Sequence, residues 1–257
     1  MAKSPTTIAR RGSEALSRLR PFGPLGKGEL TALIAIAGPA RRVAKGGMIR
    51  WAGHQAEPLD LLVRGWAVGA ISWSDGHRQL VGINLPGDLV GLAGLAAQDP
   101  VDEVVAVSDA VVRSIPLAGL TRLFNDHPRL AAMLFLLALE ERALAIERLA
   151  LMGRAAAKSR LAALFVRLSE RVAQFEPAHR HRFDLPLTQQ DLADLIGVST
   201  VYVNGILQKM RAEKMIRLTR RELHILDYDR LRDLAGIRQW QQTTPAWLPP
   251  IRPAPCA

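Results

Sequence analysis

The chain has 257 residues, 49% of them hydrophobic, and a formal net charge of +10. That is room for one large or two ordinary domains with true cores, and the positive balance suits a polyanionic partner. The single cysteine, Cys256, excludes an internal disulfide, a cysteine-ligated iron–sulfur cluster and a Cys-rich zinc site.

Met1 to Arg20 contains Arg and Ser but no apolar core of a signal peptide, and reads as a flexible N-terminus, frayed or briefly helical. Gly28 to Gly38 reads as a short helix. From Arg41 the texture changes: short Val-, Ile-, Leu- and Trp-containing runs alternate with Gly and Pro. Ser74-Asp75-Gly76-His77 is a hairpin turn between two such runs. Strands at this spacing predict a compact β-barrel or β-roll over residues 21–127. Gly87-Asp88 and Gly91 fall on tight corners, where backbone can approach a ligand.

Pro116 ends the strands, and Leu117 to Asn125 can form a short helix. His127-Pro128 opens a long helix through about Met152. Its longest apolar run, Leu130 to Leu139, is too short to span a membrane, which points to a cytoplasmic protein. Leu136, Leu139, Ala143, Ile146 and Ala150 recur at spacings of three and four, the seam of a coiled coil. Leu130, Leu137, Leu144 and Leu151 repeat every seven on a neighbouring face. One stripe can cover the β domain while the other pairs with a second copy, so residues 128–152 are read as a dimerisation helix. A helix buried on both sides within a monomer is the other reading.

Gly153 is expected to mark a hinge. Ala155 to Gln174 reads as a helix with Leu161, Leu164, Phe165 and Leu168 inward, followed by a polar loop from Glu176 to Phe183. His179 and His181 flank Arg180 there and suit a solvated loop better than a metal site.

Thr188 to Met210 carries the most information. Thr188 sits at an N-cap position with Asp191 three residues on, Gly197 ends the first helix, and Ser199 can cap a second. Leu192, Ile196 and Val198 form the apolar seam of the first helix. Val203, Ile206, Leu207 and Met210 form that of the second. Small residues at Ala193 and Gly197 allow the helices to cross, a helix-turn-helix pattern. At roughly 100° per residue, Thr200, Val201, Asn204, Gly205 and Gln208 fall on the opposite arc, flanked by Tyr202, Lys209 and Arg211. Small polar residues with basic flanks suit base reading with phosphate contacts at the edges.

Ile216 to Leu226 alternates apolar residues around a turn at Arg220-Arg221, a wing whose Arg217, Arg220 and Arg221 can reach phosphate. Residues 153–240 hold 16 Lys and Arg against 10 Asp and Glu, while residues 1–152 hold 17 against 14. The basic excess thus concentrates in the winged helix-turn-helix domain. Asp229 to Ile237 can form one last helix. Gln241 to Ala257 has five prolines in seventeen residues and reads as a disordered tail.

The order of these parts, an α+β chain of β-roll, long helix and C-terminal winged helix-turn-helix, resembles the Crp/Fnr family of bacterial transcription regulators. DGHRQLVGINLPGDLVGL and LPLTQQDLADLIGVSTVYVNGILQKMRAEKMI carry the likeness, which spans about residues 20 to 235. The resemblance implies an effector-sensing β domain, a homodimer, binding to double-stranded DNA at an inverted repeat, and contact with RNA polymerase. It places Thr188, Gln190, Ser199 and Tyr202 at phosphate-touching positions, with Gln189 beside them. It places Thr200, Val201 and Gly205 where the best-known members have Arg, Glu and Arg as base readers. Without Arg at position 205 the usual guanine clamp is missing, and Asn204 and Gln208 become the candidates for direct readout.

The resemblance also marks Gly91, Leu92, Asp102 and Glu103 as effector-pocket positions. Cyclic-nucleotide-binding members have Glu at the position of Leu92 and an Arg-Ser pair near Asp102-Glu103. Two carboxylates repel a phosphate, so cyclic AMP and cyclic GMP are not expected as ligands. Haem and an iron–sulfur cluster lack ligands as well, and no cofactor or metal is expected. An enzyme is not expected either, since the chain shows no nucleophile–base set and no phosphate-cradling Gly loop. The competing reading is a ligand- or protein-binding dimer whose C-terminal domain has weak or non-specific DNA affinity.

Overall fold

The computed structural model describes residues 17–53, 58–95, 100, 102–238 and 244–251. The fold is mixed α+β and divides into two compact units. One comprises Met1–Ala67, Asn84–Ala143 and Gln241–Ala257; the other comprises Val68–Ile83 and Leu144–Trp240.

In the first unit a short helix, α1 (Lys27–Ile36), precedes strands β1 (Ala40–Val43), β2 (Met48–Arg50) and β3 (Leu59–Arg64). Strands β4 (Ala67–Ser72) and β5 (Arg78–Asn84), which fall almost wholly in the second unit, come next in the chain, and β6 (Leu89–Val90), β7 (Glu103–Ala106) and β8 (Ala110–Ile115) are again in the first. One four-stranded sheet has the order β1-β8-β3-β6, with every neighbour antiparallel. In the other, β2 pairs with β7. The central strand β3 is buried on both faces. Leu59 and Leu61 point into a cluster shared with Leu120, Leu130 and Met133, while Leu62 points into a second cluster with Val43, Ile49, Val90 and Val112. The strand's period of two sorts its leucines between two cores. Asp60, on the same side as Leu62, is satisfied by the Ser114 hydroxyl, which donates to Oδ1 at 2.6 Å.

Helices α2 (Leu117–Asp126) and α3 (Pro128–Arg154) follow. The buried residues of α3 are Arg129, Leu130, Met133, Leu134, Leu137 and Glu140, so its N-terminal half is anchored and the rest presents no fully buried side chain. Two buried arginines tie the unit together. Arg129 donates to Glu29 at 3.1 Å, and Glu29 also caps α1 by accepting from the Gly26 N–H at 2.7 Å. Arg18, only 2% exposed, lies 3.0 Å from Asp88 and 3.3 Å from Glu140. Burial opposes its charge, but Asp88, Glu140 and Glu141 outweigh that and hold the guanidinium above its ordinary range.

Both chain ends depart from the sequence expectation. Ser17–Phe22 is a buried 3-10 turn with Leu19 and Phe22 in the first cluster. Leu248, expected in a disordered tail, packs in that same cluster, and its N–H closes a turn onto Pro245 O at 3.0 Å. One apolar side chain among prolines gives no periodicity to read. Residues 1–16, 241–243 and 252–257, the remainder of the two expected tails, lie outside the described residues.

In the second unit, the hairpin of β4 and β5 closes where Trp73 N–H donates to His77 O at 2.8 Å, with Gly76 at φ +84°. Helix α4 (Ala157–Phe175) buries Leu161, Phe165 and Leu168, with Leu164 half-buried. Gly153 does not interrupt α3; the chain breaks at Ala155-Ala156 instead. The stretch read as a polar loop holds a 3-10 turn, Pro177–His179, and a strand, β9 (Arg182–Asp184). Beyond these lie α5 (Gln189–Ile196), α6 (Thr200–Ala212), β10 (Ile216–Leu218), β11 (Glu222–Ile225) and α7 (Tyr228–Ala235). The wing is therefore three-stranded, in the order β10-β11-β9. Phe183, paired with Leu223 and 4% exposed, is the one buried residue of β9, too little pattern to announce a strand. Among the described residues no helix is long and apolar enough to cross a membrane.

Candidate nucleic-acid interface

Local signals build the helix-turn-helix. The Asp191 N–H donates to Thr188 Oγ1 at 3.1 Å, and the Thr188 N–H donates to Asp191 Oδ2 at 2.8 Å, a reciprocal capping box. Gly197 closes α5 in the left-handed conformation (φ +65°, ψ +51°), and a Cβ there would collide with the Met152 side chain. Ser199 Oγ accepts from the Tyr202 N–H at 3.2 Å and starts α6. A polar bridge locks the two helices: Gln190 donates to Asp194 Oδ1 at 2.6 Å and accepts from the Thr200 hydroxyl.

Helix α6 has two unlike sides. Val203, Ile206, Leu207 and Met210 are buried. Val201 is 83% exposed, Tyr202 is 58% exposed, and Gln208 and Lys209 are exposed as well. Thr200, Asn204 and Gly205 are half-buried at the margin. Val198, assigned to the seam of the first helix, lies half-buried in the turn, while Leu195 takes a buried place on α5. Thr188, Gln189, Gln190 and Ser199 are exposed at the first helix and the turn, and Arg217, Arg220 and Arg221 are exposed on the wing. The Thr188 hydroxyl and Gln190 amide are already engaged in the cap and the bridge, so their freedom to meet phosphate is smaller than the sequence implies.

Exposed cations missed by the sequence reading lie nearby. Arg180 stacks on Tyr228, its guanidinium carbon 5.1 Å from the ring centroid. Arg182 donates to Glu222 at 2.9 Å, which holds that carboxylate below its ordinary range. Glu213, hydrogen-bonded by Lys158, is likewise held low. His179 sits 3.5 Å from Glu176, and His181 meets Tyr228 edge-on at 5.0 Å. The Glu222 and Glu213 pairings, 40 and 55 positions apart, were not visible from spacing alone.

The effector-pocket candidates belong to the first unit. Gly91, at φ +95°, lies directly against the Arg50 guanidinium, as does Gly94. Arg50 is 1% exposed and donates to Pro58 O at 3.3 Å. Leu92 packs on the core, and Asp102 and Glu103 are half-buried. Asp88, expected on a corner open to a ligand, is instead buried on Arg18 and accepts from the Leu85 N–H at 2.6 Å. Gly91→Ala is expected to cost at least about 1 kcal/mol, from the positive φ and the displaced Arg50. Urea unfolding checks this, and an unchanged midpoint would show that Arg50 withdraws freely.

Comparisons with known proteins agree with this layout. Residues 40–127 match the cyclic nucleotide-binding domain family, and residues 159–234 match the Crp-like helix-turn-helix domain family. The chain is 28% identical over 200 residues to the transcriptional activator protein FnrL of Cereibacter sphaeroides, covering 76% of this chain and 80% of that one. It is 29% identical over 184 residues to the transcriptional regulatory protein btr of Bordetella pertussis, covering 70% and 75%. The solved structure of FixK2 from Bradyrhizobium japonicum superposes with a TM-score of 0.71 at 22% identity, covering 79% of this chain and all of that one. With both domain models matched in this order, and with these relatives, the chain belongs to the Crp/Fnr family of DNA-binding transcription regulators.

Proposed function

We propose that the protein acts in the cytoplasm as a homodimer that presses α6 of each copy into the major groove of an inverted-repeat operator. It regulates promoter activity there, in contact with RNA polymerase and without a cyclic nucleotide as effector. The observation that carries this reading is the division of α6, one side fully packed and the other leading with a Val201 that nothing covers. Exposed Lys209, Arg217, Arg220 and Arg221 suit phosphates on either flank. Asn204 and Gln208 can pair with adenine edges, and Val201 can meet a thymine methyl. Gly205 supplies no side chain for guanine.

Selection from random duplexes is expected to return an inverted repeat without the family's guanine clamp, and recovery of the familiar half-site would sink the readout assignment. Replacing Arg217, Arg220 and Arg221 together by alanine is expected to weaken binding to all sequences alike. It should also flatten the slope of log affinity against log salt by about 0.9 for each phosphate no longer neutralised. An unchanged slope would remove the wing from the interface. Leu92 and the Arg50-filled cradle at Gly91 support the absence of a cyclic nucleotide. Calorimetry with cyclic AMP is expected to show no binding; micromolar affinity would overturn that part.

A further inference from the structure

A cavity lies within the second unit, where α3, α4 and α5 meet the end of β5. It is partly open to solvent, and Leu151, Leu164, Leu168 and Ile196 give it an apolar wall. Concave, mostly apolar recesses with a few placed polar groups are where small molecules bind.

The polar groups here are almost all cationic. Four arginines reach the cavity: Arg148, Arg160, Arg167 and Arg171. Arg167 is neutralised by Glu147 at 2.5 Å and Glu170 at 2.7 Å, and this occupies the cavity's own carboxylate. Among the described residues Arg148 hydrogen-bonds only the Val81 carbonyl oxygen. Arg160 donates to Ala155 O at 2.9 Å and leaves its Nε buried without a partner. Among the described residues neither Arg148 nor Arg160 forms an ion pair. Burial, and then the neighbouring Arg171, push the Arg148 guanidinium below its ordinary range. A half-buried cation beside a like charge is a costly arrangement that an anion relieves.

This face of α3 is not the expected dimer seam. At roughly 100° per residue, Leu144, Arg148 and Leu151 lie about 120–180° round the helix from Leu139 and Ile146. The cavity therefore stays available when two copies pair along the seam.

We propose that the cavity binds an amphipathic organic carboxylate, with its hydrocarbon body on the leucines and its carboxylate against Arg148 and Arg171. Met152 also lines the cavity and touches the Gly197 turn. Occupancy thus bears on the helix-turn-helix and shifts operator affinity, a consequence that rests on the DNA-binding function proposed above.

Calorimetry on the full chain, without DNA, with octanoate as the probe and octanol as its uncharged counterpart, tests the site. Saturable octanoate binding is expected, at least tenfold tighter than octanol. Arg148→Gln is expected to lose at least tenfold in octanoate affinity while leaving octanol unchanged. Leu164→Trp, which fills the cavity, is expected to lose both. Thermal melting checks that each variant is folded, and Arg171→Gln stands in for Arg148→Gln should the latter fail. No saturable binding, equal affinity for octanol, or full octanoate affinity in the Gln variant would overturn the site. Octanoate that binds yet leaves operator affinity unmoved would overturn the regulatory consequence alone.

Discussion

Arg18→Ala is expected to destabilise the first unit by about 3–5 kcal/mol, the usual cost of removing one partner from a buried charge cluster. Arg18 bridges two carboxylates, Asp88 and Glu140, that are almost fully buried. Without the guanidinium these two lose the cation that bridges them, and their charge in a poorly solvating interior becomes costly. Replacing all three residues with apolar ones of similar volume is expected to cost far less than the single change, since nothing charged is then stranded. Urea unfolding of the two variants checks both statements. A cost below about 1 kcal/mol for Arg18→Ala would mean that water reaches the cluster.

Ile146→Glu combined with Leu149→Glu is expected to give a folded monomer whose operator affinity falls by roughly 100-fold or more, because the second half-site no longer binds as part of the same particle. Helix α3 carries Phe135 (57% exposed), Leu139, Ile146 and Leu149 (73% exposed) at spacings of four, seven and three, a seam with no partner in a single chain. The substituted positions are exposed, so the fold should tolerate them. Sedimentation velocity reads the mass, and titration of an operator duplex reads the affinity. A variant that still sediments as a pair would move the seam elsewhere.

The sequence disclosed what is encoded locally. Caps, a left-handed glycine and apolar periodicity lie within a few residues of what they specify, so the bounds of α5, the Gly197 turn and the cap that starts α6 could be read from the sequence. The hairpin at Asp75-Gly76 is legible for the same reason. The ion pairs were not legible. Arg18 meets Glu140 across 122 positions and Arg129 meets Glu29 across 100, and no local pattern marks such partners. The β9 strand escaped because three residues hold too little alternation. On α3 the sequence pattern did not single out the most exposed apolar residues, Phe135 and Leu149. Leucine is so frequent on that helix that Leu136 and Ala143, both half-buried, fitted the repeat equally well. The exposed arc of α6 was legible, but the engagement of Gln190 by Asp194 and Thr200 depends on how two helices cross, which spacing does not give.

Leu248 brings the chain back to the cluster that holds Leu19 and Phe22. The core of the first unit is thus completed by a residue from far along the chain, and cutting the chain just after residue 238 would leave a gap there that the neighbouring side chains must close.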